Sequence, residues 1–209
     1  MKQFLILFTG FFILNSTTKA DTGLHSLDSM PGKILIVNAF DANEMNARKN
    51  VKELFARLAE DVQQGLAIEL GAGYDIVTQI QPGVLATNNR DSIMLRLISS
   101  ELATKAILIT KMNVFFNQTG VEVTGTKGDK TRIASYDICA DITYVFYTRL
   151  GKFSESPTHS CEYHSRRNVV SGLLAMGPNV VKKRSDAARI IRQNVHEYMS
   201  MIRHEMMTN

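Results

Sequence analysis

Apolar and polar positions change period several times along this chain, and each change predicts an element. The run KILIVNAF, residues 33–40, is almost continuously apolar, the pattern of a strand covered on both faces. It belongs in the middle of a sheet. Beyond it, Val51, Leu54, Phe55, Leu58, Ala59, Val62 and Leu66 recur at steps of three and four, which lines them along one stripe of a helix over residues 47–70. Lys49, Lys52, Glu53, Arg57, Glu60 and Asp61 occupy the opposite face, so this helix lies on a sheet with its other side in water. Gly71-Ala72-Gly73 ends it, because glycine readily takes the left-handed conformation that closes helices. The same triplet precedes a strand and not a helix N-terminus, which argues against a phosphate-cradling loop. YDIVT, residues 74–78, reads as a short strand closed by Gln81-Pro82-Gly83. Asn89 or Asp91 then caps a second helix whose stripe is Met94, Leu97, Ile98 and Leu102.

From Ala106 the pattern turns to β. A long β-rich stretch runs from Ile107 through Phe116 to Thr124, and TKGDK, residues 126–130, is a good hairpin turn. Residues 131–148 alternate: Ala134, Tyr136, Ile138, Ala140, Ile142, Tyr144 and Phe146 form a core face, whereas Ser135, Asp137, Cys139, Asp141 and Thr143 form a face read as solvent-exposed. A weaker, polar strand follows over 153–166, suited to a sheet edge. Residues 168–184, interrupted by Gly172, Gly177 and Pro178, read as a loop with a short helical piece. Ala187, Ala188, Ile191, Val195, Tyr198, Met199 and Ile202 step by three and four through a last helix behind a Ser185 or Asp186 cap. The expected fold is α/β (α+β): a single mixed sheet of about five strands with helices packed mainly on one face.

Composition adds a compartment. Residues 1–20, MKQFLILFTGFFILNSTTKA, carry an early Lys2, an apolar core and small residues before Ala20, the layout of a bacterial secretory signal. The apolar run is shorter than the roughly 20 residues that span a bilayer. Residues 21–32 read as a flexible polar lead, and residues 33–209 as a single α/β domain. Removing the signal deletes Lys2 and Lys19 and no acid, so the formal charge falls from +4 (24 minus 20) to +2 (22 minus 20), too little to argue for nucleic acid as a partner. No cysteine follows the signal directly, so the product is expected free in the periplasm or secreted, with no transmembrane span.

The chain has two cysteines, Cys139 and Cys161, either side of the Gly151 turn. If the flanking strands pair so that residue numbers sum to about 300, the two face each other, provided the loop is of odd length, three or five residues. Opposed residues in a non-hydrogen-bonded antiparallel pair stand about 4.5 Å apart at Cα, within disulfide reach. An exported chain with two cysteines oxidises by default, which favours a staple. The rival readings are two free thiols, or a thiol nucleophile or metal cluster from His159, Cys161 and His164 with Asp141 across the hairpin. In an extended strand His159 and Cys161 share a face while His164 points away, and no Cys-x-x-Cys pair marks a zinc site. Asp137 and Asp141 lie about 13 Å apart along one strand, beyond the separation of glycosidase carboxylate pairs. No Walker, Gly-x-Ser-x-Gly or His-Glu-x-x-His sequence is present, so no cofactor and no catalytic residue is assigned.

Positive charge gathers late: Arg166, Arg167, Lys182, Lys183, Arg184, Arg189, Arg192 and Arg203 face only Glu162, Asp186 and Glu197 between residues 162 and 203. Lys182, Lys183 and Arg184 are the candidate partner contact, against the plainer reading of a solvated helix face. A pocket under residues 169–181 is the candidate small-ligand site.

The order of these elements, KILIVNAF, then VKELFARLAEDVQQGLAIELGAGYDIV, RDSIMLRLISSELATKAILIT, two long strands and DAARIIRQNVHEYMSMI, resembles the small periplasmic α/β domains of the TolB N-terminal type. That family includes the penicillin-binding-protein activator LpoB and the curli secretion lipoprotein CsgG. The resemblance covers residues 32–203 at the level of pattern. It implies a non-catalytic protein-interaction or adaptor domain that docks onto other envelope proteins. Those activators and secretion subunits carry a lipid-modified cysteine after the signal and this sequence does not, so tethering is not carried over, and no binding residues are transferred.

Overall fold

In the computed structural model, which describes residues 32–85, 88–125, 131–169 and 180–208, five strands form one sheet in the order β2-β1-β3-β4-β5. The described residues fall within one compact unit, Pro31–Asn209. The expected signal, the lead up to Pro31 and the TKGDK turn lie outside them. The elements in chain order are β1 (Lys33–Asn38), α1 (Lys49–Leu70), β2 (Asp75–Ile80), α2 (Arg90–Ser100), β3 (Lys105–Thr124), β4 (Thr131–Thr148), β5 (Gly151–Val169) and α3 (Arg184–Thr208). β1 pairs in parallel with β2 on one side and β3 on the other, and β3, β4 and β5 follow as an antiparallel meander.

This order decides where the helices go. The β1–α1–β2 connection steps outward, and β2–α2–β3 steps back across β1. Since such crossovers are right-handed almost without exception, steps in opposite directions put their helices on opposite faces. The cores agree: Ile34 and Ile36 join α1 and α3 in the larger one, and Leu35 and Val37 join α2 in the smaller. β1 is buried on both sides, which is why its sequence does not alternate.

β4 keeps its even positions from Ala134 to Phe146 buried, those from Ile138 to Phe146 within the larger core. The odd face is not simply solvent. Val145 and Tyr147 enter the core under α2, and Cys139 is fully buried farther along. β4 and β5 turn through Arg149 and Leu150, with Thr148 opposite Gly151. The odd-length loop expected from sequence is therefore a two-residue turn, and a bulge at Phe153 shifts the register so that Phe146 faces Ser154. Gly151, at φ 136°, occupies backbone space that a side chain resists.

α3 is the larger core's second cover. Ser185 and Asp186 fall inside its first turn instead of capping it, because a 3-10 turn, Val180–Lys183, leads directly into the helix. Its buried Asn194 ties three places together: Nδ2 donates to the carbonyls of Ala140 (3.2 Å) and Thr158 (3.1 Å), and Oδ1 accepts from the Tyr144 hydroxyl (3.0 Å). Tyr144 also stacks on Tyr198 with ring centroids 4.0 Å apart, and burial holds its hydroxyl pKa well above the ordinary value.

Candidate functional site

The β4–β5 register sets Cys139 opposite Cys161, Cα atoms 4.2 Å apart, and their sulfurs are joined at 2.04 Å. The same register sets Asp141 opposite His159, and the two-residue strand period places His159 beside Cys161 on one face. His159 Nδ1 lies 2.5 Å from Asp141 Oδ1, and its Nε2 lies 3.0 Å from Cys161 Sγ. Carboxylate, imidazole and sulfur thus form a continuous line. Cys139, His159 and Cys161 form a group with possible ligand atoms within 4.8 Å of one another, but joined sulfurs offer no thiolate to a metal. His164 is the extra residue at a second register shift, between Tyr163 and Ser165, and its side chain lies outside the described residues.

The basic segment is only partly described. Lys183 is half-buried and Arg184 exposed at the start of α3, whereas the side chain of Lys182 is outside the described residues, as are residues 170–179 of the pocket expected under the 169–181 loop. Arg189 is engaged within the fold, with Glu162 (3.0 Å) and Asp186 (3.4 Å).

A site that the sequence reading missed opens where β1 and β2 end. Their onward connections diverge to opposite faces, and in open α/β sheets such a divergence leaves a crevice beyond the strands' carboxyl ends. Here it is a cleft of about 720 Å³ between those ends and the first turns of α1. Phe40, Ala56, Ala59, Ile80 and Pro82 give it apolar surface, and Asp41, Lys49, Lys52, Glu53 and Glu60 bring both signs of charge. Its floor is firm: buried Asn38 accepts the Phe40 amide on Oδ1 (3.0 Å), and its carbonyl accepts the Gln81 amide (2.8 Å). Asp41 caps the turn Ala42–Glu44 through the Asn43 amide (2.8 Å), and Lys52 Nζ reaches the Asn43 carbonyl (2.6 Å). No residue motif announces it, and the order of elements along the chain does not by itself give the spatial strand order whose reversal defines the crevice.

Comparison with known proteins gives only distant structural likeness. No family model matches the chain, and no curated protein matches it. Among solved structures it is similar to a minor lipoprotein from Acinetobacter baumannii (12% identity, TM-score 0.36, covering 85% of this chain and 97% of that one). It is also similar to a neuraminyllactose-binding hemagglutinin homolog from Helicobacter pylori (12%, TM-score 0.41, 85% of each chain). A third is a hypothetical protein from Chlamydia trachomatis (10%, TM-score 0.39, 82% of this chain and 95% of that one). None of these three is a named TolB-type protein. No helix among the described residues is long and apolar enough to cross a membrane.

Proposed function

We propose that the chain is an exported, non-catalytic envelope protein that serves as a protein-interaction or adaptor domain, and that the cleft at the ends of β1 and β2 is where it grips its partner. The secretory pattern of residues 1–20 supports export, and the resemblance of the element order to TolB-type domains supports docking. The observation that carries the reading is the cleft, because it runs beside an exposed sheet edge. β2 has a neighbour on one side only, and Ile80, 61% exposed at its end, joins the cleft wall. An unpaired strand edge next to a side-chain pocket is the arrangement that takes up an extended segment of another protein, the edge supplying main-chain hydrogen bonds and the pocket selectivity. Lys182, Lys183 and Arg184 are a second contact for an acidic partner surface.

Capture from the native cell envelope tests this. The wild-type chain recovers protein partners, and Ile80→Glu with Lys52→Glu reduces capture severalfold while the fold persists. Charge reversal at Lys182, Lys183 and Arg184 weakens capture if they form the second contact. Capture unchanged by the cleft substitutions overturns the cleft as docking site. A small-ligand reading is favoured by the volume of the cleft, about 720 Å³, within the range of ligand pockets. Ligand-dependent stabilisation abolished by Lys52→Glu, without protein capture, would select it.

A further inference from the structure

The line Asp141–His159–Cys161–Cys139 holds more chemistry than a staple uses. A purely structural disulfide stabilises through the loop it closes and asks for no imidazole–carboxylate pair beside it. Here one sulfur, that of Cys139, belongs to a fully buried residue, whereas Cys161 is partly open. An imidazole stands 3.0 Å from Cys161 Sγ with its far nitrogen held by a carboxylate. His159 and Asp141 are 62% and 48% exposed, so neither is a buried polar group in need of a partner. The surrounding face is open at this end of the meander. Phe115 of β3 sits opposite Cys139, Asn113 opposite Asp141 and Asn117 opposite Asp137.

We propose that Cys139 and Cys161, with His159 and Asp141, form a thiol–disulfide exchange site that oxidises dithiols. This exchange, stoichiometric in the protein's own disulfide, goes beyond the docking reading and uses a different part of the molecule, so either stands without the other. A thiolate of the dithiol attacks Cys161 Sγ, the accessible sulfur. Its bond to Cys161 forms as the Cys139–Cys161 bond breaks, and the electron pair leaves on Cys139, which takes up a proton. The second thiol of the dithiol, deprotonated, then attacks the dithiol's own sulfur in the mixed disulfide. That closes the dithiol's disulfide and expels Cys161 as a thiolate. The dithiol has lost two electrons and two protons: both electrons are now on the protein's sulfurs, one proton is on Cys139, and the other has gone to solvent, leaving Cys161 as the thiolate.

His159 acts in the second displacement. In its protonated form it donates Nδ1–H to Asp141 and presents Nε2–H to the departing Cys161 sulfur. A positive ring beside a thiolate lowers the thiol pKa, and a stabilised leaving thiolate departs faster and makes the disulfide a stronger oxidant. Among the described side chains, the registers put on this face Asp137 and Asp141 of β4, His159 and, farther along, Glu155 and Lys152 of β5, and Lys111 (opposite Thr143) and Glu122 (opposite Ile133) of β3. α2 covers only the far end of the same face, around Val145 and Tyr147.

The test uses dithiothreitol as the dithiol on the folded full chain, with the two thiols resolved by alkylation and mass spectrometry. Wild-type protein is reduced without denaturant, and its Cys161 thiol alkylates near pH 6 about tenfold or more faster than in His159→Gln. In redox equilibrium His159→Gln shifts the population about tenfold toward the disulfide. Should His159→Gln fail to fold, Asp141→Asn, which keeps the ring and removes its anchor, carries the same comparison. Identical equilibria and alkylation rates in wild type and variant overturn the proposal. So does a disulfide that resists dithiothreitol until the protein is unfolded.

Discussion

Leu102 closes α2 in a left-handed conformation, φ 54°, that costs a residue with a side chain roughly 1 kcal/mol. The hydrogen bonds identify the motif: the Leu102 amide donates to Ser99 and the Ala103 amide to Ile98, the pattern in which glycine is the usual residue at this place. The side chain is 77% exposed and returns little by burial. Leu102→Gly is therefore expected to stabilise the protein by up to about 1 kcal/mol, read as a rise of about 2–4 °C in melting temperature. Eleven residues earlier, Asp91 accepts the Tyr147 hydroxyl at 2.6 Å, and this hydrogen bond, opposed by burial and helped by Arg90, holds its carboxyl pKa below the ordinary value. A carboxylate whose pKa is depressed on folding contributes stability that is present above its unfolded pKa and lost as the pH falls through the folded one. Asp91→Asn removes that contribution. Its stability deficit, measured by urea unfolding across the acid range, is expected to be constant above about pH 5 and to shrink below about pH 4.

At the scale of elements, α3 is fastened to the sheet by more than its apolar stripe. Asn194 reaches carbonyls on two adjacent strands, Ala140 on β4 and Thr158 on β5, and its remaining oxygen is used by Tyr144. Replacing it with leucine keeps an apolar volume but strands two carbonyls and a tyrosine hydroxyl in a dry core, where each unsatisfied group costs about 1–3 kcal/mol. Asn194→Leu is expected to lower unfolding free energy by about 3 kcal/mol or more in chemical denaturation. Loss of less than about 1 kcal/mol would mean that water replaces the amide. In the sequence Asn194 stands three residues after Ile191 and four before Tyr198, so its spacing puts it on the buried stripe, but its polar residue type reads as the wet side.

At the scale of the molecule, periodicity carried most of the architecture. The step of three and four in α1 and α3, the unbroken apolar run of β1 and the alternation of β4 each follow from which faces the sheet buries. What periodicity cannot carry is the order of strands in space. β2 returning across β1 to β3 decides that α2 lies opposite α1, gives the odd face of β4 its own core and opens the cleft, and none of that is a property of any one segment. Leu102 was read into the stripe of α2 for a similar reason, since the point at which a helix closes depends on local backbone geometry that its residue type disfavours. The opposition of the two cysteines was legible because it is arithmetic within one hairpin, although a two-residue turn and a bulge produce it instead of the odd-length loop expected.

That locality bears on how the chain assembles. Both sulfurs and the bend that joins them lie within one contiguous stretch, separated by 22 residues, and the strands that oppose them are sequence neighbours. Closing so short a span needs little loss of chain freedom, so the cross-link can be sealed before β1 or either covering helix has found its seat. The remainder of the protein then condenses onto a ribbon whose alignment is already covalent.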